Sequence, residues 1–161
     1  MDTIIPLFFI IIMPIVYYMQ VDTHTGALFL SSDASHNRYV TQYITSGSSL
    51  INKEINTIEV WLHKTGNPTG NIVIGVFDDN RNIVKQFAII DATTLTNQIK
   101  KYTFTVEGAY KIKANDYIGI HYADGDASNY IAVRIDTTNP FDGTNSYRCR
   151  YSTSWVCSHN E

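Results

Sequence analysis

Short runs in which apolar and polar side chains alternate, set between clusters of Gly, Asn, Asp and Pro, recur along most of this sequence and leave it few folds to adopt. Successive side chains of an extended strand point to opposite faces, so alternation buries one face and wets the other. In the run 55–64, Ile58, Val60 and Leu62 face one way while Glu59, Trp61 and His63 face the other. Tyr102, Phe104 and Val106 share a face in 101–106; in 130–135, Ile131, Val133 and Ile135 are expected inward with Tyr130 and Arg134 outward. The run 71–77 is apolar on both faces, as a central strand requires. With weaker runs at 39–45, 83–90 and 117–122, the total is about eight strands. The turns between them include 64–71, with two glycines and a proline, then 78–82 and 123–129. No later stretch carries a helical period, so the expectation is all-β: an antiparallel two-sheet β-sandwich, jelly-roll-like in preference to immunoglobulin-like.

The beginning of the chain is different in kind. Residues 4–19 carry no charged side chain and are almost wholly apolar. A bilayer-spanning helix needs about 20 such residues, and this run is shorter and interrupted by Pro6 and Pro14. The expectation is therefore an N-terminal hydrophobic helix in 1–27 acting as a signal peptide, with an uncleaved membrane anchor as the alternative. Asp2 stands where a signal peptide usually carries positive charge. Thr25-Gly26-Ala27 offers a small-x-small cleavage site, and Val21 with Thr23 offers another. Either way the sandwich at 28–161 is expected outside the cell, secreted or on its surface, with membrane contact only through the N-terminal segment.

At 161 residues there is room for one domain beyond that segment. Charged residues make up 17%, below the roughly 25% of an average soluble chain, so Thr, Ser, Asn and Tyr must supply most of the polar surface. The net charge of -3 gives no broad basic field, which sets nucleic acid aside as a partner.

Cys149 and Cys157 are the two cysteines. With Thr153 at the centre of a turn they fall opposite one another across a β-ribbon, and an oxidising exterior would bridge them. Two free thiols are the alternative, and a zinc site with His159 is disfavoured because it lacks a fourth ligand nearby. The histidines His24, His36, His63, His121 and His159 are scattered, without metal-ligand spacing. No Gly-x-Ser-x-Gly elbow occurs. Asp124, Asp126 and Asn129 offer oxygen ligands, but not in the spacing of a calcium loop, and are read as a solvated turn. No catalytic residue, metal or cofactor is therefore assigned, and the chain is read as a non-enzyme.

Three segments together, VWLHKTGNPTGNIVIGVF at 60–77, DATTLTNQIKKYTFTV at 91–106 and YKIKANDYIGIHY at 110–122, resemble the choice-of-anchor type of secreted jelly-roll domains found on prokaryotic exported proteins. The resemblance is strongest at the Lys-Thr-Gly-x-Pro-Thr-Gly-Asn turn. It implies fold and export and carries no catalytic motif.

The function expected is thus a non-catalytic extracellular or cell-surface binding module. Its candidate ligand-binding residues are the outward Trp61, His63, His121, Tyr130 and Arg134. Brought together, they would give a sugar a flat apolar face to stack on and polar groups for its hydroxyls. A glycan or another surface protein is the expected partner. The alternative is a structural surface protein or filament subunit that self-associates by strand addition.

Overall fold

The structure, a computed structural model, describes residues 17–18, 26–135 and 146–158. The strands are β1 (Tyr17–Tyr18), β2 (Gly26–Leu30), β3 (Tyr39–Ile44), β4 (Glu54–Thr65), β5 (Asn71–Phe77), β6 (Ile83–Asp91), β7 (Lys100–Lys111), β8 (Tyr117–His121), β9 (Tyr130–Ile135), β10 (Ser146–Tyr151) and β11 (Trp155–Ser158). They form two sheets. In the first, β7, β4, β9 and β2 lie side by side and antiparallel, and the two residues of β1 add to β4 in parallel. The second runs β11-β10-β3-β8-β5-β6, antiparallel throughout. From β2 onward the chain changes sheet at nearly every step, staying within one sheet only at the β5–β6 and β10–β11 hairpins. The all-β, two-sheet expectation holds.

Most of the expected N-terminal helix lies outside the described residues. Where the structure does describe that segment, it is extended: Tyr17 and Tyr18 pair with Ile58 and Glu59, and β2 opens at Gly26, opposite Ile135. The boundary drawn after residue 27 therefore falls inside a strand.

Alternation places the core. Ile58, Val60 and Leu62 of β4, Ile72, Ile74 and Val76 of β5, Ile120 of β8 and Ile131 and Val133 of β9 are all buried in one cluster between the sheets. Each such side chain stabilises by about 1.5–3 kcal/mol. Tyr122 is fully buried among them, and its hydroxyl donates to the Thr69 carbonyl at 2.7 Å. Burial pushes that hydroxyl's pKa up to about 12.

A second apolar layer covers the outer face of the six-stranded sheet. Tyr39, Phe77, Tyr117 and Cys149 are buried there, with Tyr43, Val73, Tyr151 and Trp155 packed against them. This is why 71–77 reads apolar on both faces: Ile72, Ile74 and Val76 meet the inner core, while Val73 and Phe77 meet the outer layer. Trp155 stacks on Tyr117, with ring centres 4.2 Å apart, and donates its indole N–H to the Asp79 carbonyl at 3.3 Å. Cys149 lies opposite Cys157 in the β10–β11 register, and the two form the expected disulfide.

One buried acid ties an end of the sandwich. Asp116 accepts from the Tyr110 hydroxyl at 3.0 Å and from the Lys113 amide at 2.7 Å, while its own carbonyl accepts from the Ile44 amide. Burial raises the Asp116 pKa, and these bonds only partly offset it. A carboxyl whose folded pKa is raised contributes stability below its unfolded pKa and loses that contribution as pH rises through the folded one. Asp116→Asn should accordingly gain in stability relative to the wild type as pH rises from about 3 to 7. Urea midpoints across that range check this, and a constant difference would contradict it.

Candidate functional site

The outward face of the four-stranded sheet collects most of the candidate residues. Leu62 pairs with Val133, so the antiparallel ladder sets Trp61 beside Arg134. Trp61 also faces Lys101 across β7, and Arg134 faces Ala27 across β2. Ala27, Arg134, Trp61 and Lys101 thus form one row across all four strands. In the next row, His63 pairs with Ala132, which pairs with Phe29. In the third, Thr65 pairs with Tyr130. The ladder therefore brings Trp61, His63, Tyr130 and Arg134 to one face.

Neighbours the single-strand patterns leave out complete this face. Phe29, 40% exposed, packs on Tyr130 with ring centres 5.0 Å apart, and His36 meets both rings at 5.7 and 4.9 Å. The Ser31 hydroxyl holds the His36 Nδ1 at 2.9 Å. Lys101 sits 5.7 Å over the Trp61 ring and 3.2 Å from Glu59. Glu59, outward by alternation, is only 7% exposed because β7 covers it: its Oε1 accepts from Thr103 at 3.0 Å and pairs with Lys101.

His63 is half-buried, and its Nδ1 is shielded from water with no hydrogen-bond partner among the described residues. Burial, and secondarily the positive charge of Arg134, lower its pKa, leaving the imidazole neutral at pH 7.

His121 does not belong to this face. It lies on β8 in the other sheet, stacked on Tyr39 with ring centres 4.2 Å apart, and burial lowers its pKa. Alternation reports which way a side chain points from its own strand, not which sheet that strand joins, and the two outward faces lie on opposite sides of the sandwich.

The turn 123–129 is self-satisfied. Both carboxylate oxygens of Asp126 accept from the Asn129 amide group, and Oδ1 also accepts from the Ser128 and Asn129 backbone amides. Asn129 in turn holds the Asn67 amide at 2.8 Å beside Gly66, whose φ of 67° needs glycine. The conspicuous Lys-Thr-Gly-x-Pro-Thr-Gly-Asn turn thus serves loop packing. Among the described residues no three His, Cys, Asp or Glu side chains converge on a metal position. A shallow recess at Thr96, Asn97, Gln98, Ile99 and Lys100 is lined by one short stretch of chain, the loop leading into β7 and its first residue. Chemically, the Trp61 face combines aromatic rings with hydrogen-bonding groups of both charges. In comparisons with protein-family models, with curated proteins and with solved structures, nothing matches this chain.

Proposed function

We propose that this chain is an exported, non-catalytic jelly-roll module that binds carbohydrate on the outward face of its four-stranded sheet. The observation that carries the reading is the row in which Trp61 lies between Arg134 and Lys101 on a sheet surface, extended along the strands by Tyr130 and Phe29. A pyranose presents an apolar face and a rim of hydroxyls, which an aromatic ring flanked by hydrogen-bond donors complements. The strand orders β2-β9-β4-β7 and β3-β8-β5-β6 support the jelly-roll assignment, as does the resemblance to choice-of-anchor domains. The Cys149–Cys157 bridge is compatible with an oxidising exterior. Trp61→Ala should abolish retention on immobilised polysaccharide while changing stability by no more than about 1 kcal/mol, as befits a half-buried side chain. Undiminished retention in affinity electrophoresis would refute the assignment of the site.

The second reading is a surface subunit that assembles by strand addition. It draws support from β6, which among the described strands pairs only with β5 and exposes Ile83, Val84 and Ile89 at 44%, 45% and 51%. Light scattering of the exported form separates the two readings: a monomer that binds glycans against a polymer that does not.

A further inference from the structure

The two halves of the Cys149–Cys157 bridge stand in unlike surroundings. Cys149 is fully buried in the outer layer of the six-stranded sheet, against Tyr39, Phe77 and Tyr117, whereas Cys157 is exposed on β11. A thiolate in solution can therefore reach one end of the bridge and not the other. The bridge spans eight positions within one hairpin, so what it holds directly is β11, whose sole strand neighbour among those described is β10. β11 in turn carries Trp155 over the layer. The indole lies nearly parallel on Tyr117, with ring centres 4.2 Å apart, and meets Tyr39 and Tyr151 at 5.6 and 5.3 Å. Beneath it Tyr39 and Tyr117 are only 8% and 6% exposed. The turn at 78–82 meets the same cover: the Asp79 carbonyl accepts the indole N–H, and the Arg81 guanidinium stands 4.6 Å over the Tyr151 ring.

We propose that this hairpin is a thiol-operated latch: a dithiol attacks the Cys157 sulfur, and opening of the bridge frees β11 and Trp155 and uncovers the aromatic layer while the inner core stays folded. The core can stay because none of β4, β5, β8 and β9 pairs with β11. The exchange is balanced within the pair of reactants. Attack forms a bond between one dithiol sulfur and Cys157 and expels Cys149 as a thiolate, which takes up a proton. The second dithiol sulfur then closes on the first, releasing Cys157 as a thiol and leaving a cyclic disulfide. The bridge gains the two electrons and two protons that the dithiol loses. A monothiol is a poor substitute. The β10–β11 ladder keeps Cys149 opposite Cys157, at a high effective concentration, so the expelled sulfur attacks the mixed disulfide and restores the bridge before a second monothiol arrives.

The test incubates the full chain with dithiothreitol or with glutathione at equal thiol concentration, quenches in acid, and follows alkylation by mass spectrometry beside native-state hydrogen exchange. Dithiothreitol should yield about tenfold more chain with both cysteines alkylatable than glutathione does. In the reduced chain, amides of the β10–β11 ladder should exchange at least about tenfold ahead of those of β5 and β8, and reoxidation should restore their protection. Glutathione trapped by the quench should sit on Cys157. Three results would each overturn the latch: glutathione on Cys149, β10–β11 amides that stay protected once both thiols are free, or β5 and β8 amides that open together with them. The last would make the bridge a staple of the whole fold. Equal yields from the two reagents would overturn the requirement for a dithiol. The comparison needs no substitution, so a poorly folded variant does not blunt it.

Discussion

Gly119→Ala is expected to cost about 3 kcal/mol or more and to leave much of the chain unfolded, although it adds one methyl group. Gly119 lies in the middle of β8, paired with Thr41 on one side and Gly75 on the other. A Cβ there would run into the Val40 carbonyl oxygen and come within 2.8 Å of the Thr41 Cα. Both are backbone atoms of β3, and β3 is held in turn by β10. The methyl cannot be accommodated by a rotamer change; a strand has to move, and with it the β3–β8 ladder that carries Val40 and Ile120 into the core. Gly47→Ala is the control, because a Cβ at Gly47 meets nothing within 4 Å, and it should stay within about 0.5 kcal/mol of the wild type. Urea titrations of both variants give the answer. A wild-type midpoint for Gly119→Ala would mean that β8 does not run between β3 and β5 as described.

How far the sequence discloses this structure depends on whether a property belongs to one strand or to several. The two-residue period needs only one strand, and it places Ile58, Val60, Leu62, Ile131 and Val133 inward, as found. It also finds β5 and β9 over their full lengths, at 71–77 and 130–135. β2 escapes because Gly26 and Ala27 adjoin the apolar N-terminal run and read as its end, whereas they are the first residues of a strand on β9. Glu59 points outward by period, yet it is buried because Thr103 and Lys101 stand across from it on β7. That burial depends on register, which no single run contains. The site divides on the same principle. Trp61 and His63 share β4, so their common face is visible in the sequence, but their alignment with Arg134 and Tyr130 needs the β4–β9 ladder. His121 looks equivalent to them in period and lies in the other sheet. Phe29 and His36 could not have been tied to Tyr130 from spacing, since β2 and β9 are joined only by the fold.

Removing the disulfide by the double substitution Cys149→Ala and Cys157→Ala should lower global stability by about 3 kcal/mol. Closing a loop of this length restricts the unfolded chain by about 2–3 kcal/mol, and the loss of the Cys149 sulfur, fully buried among Tyr39, Phe77 and Tyr117, adds to it. The effect on β11 should be larger than on the rest of the fold. β11 is a four-residue strand whose sole strand neighbour, among those described, is β10. Apart from the bridge, it is held by the ladder to β10 and by Trp155, which meets Tyr117, Tyr39 and Tyr151 and donates to the Asp79 carbonyl. Without the bridge, β11 can peel away while the inner core stays intact, because none of the core strands β4, β5, β8 and β9 pairs with it. Native-state hydrogen exchange should show amides of the β10–β11 ladder exchanging faster by about two orders of magnitude, with Trp155 emission shifted to the red as its ring leaves Tyr117. Amides of β5 and β8 should gain only what the global loss of stability allows. If the β10–β11 amides kept their protection, the ladder and the Trp155 contacts would suffice to hold the hairpin, and the disulfide would be incidental to the outer aromatic layer.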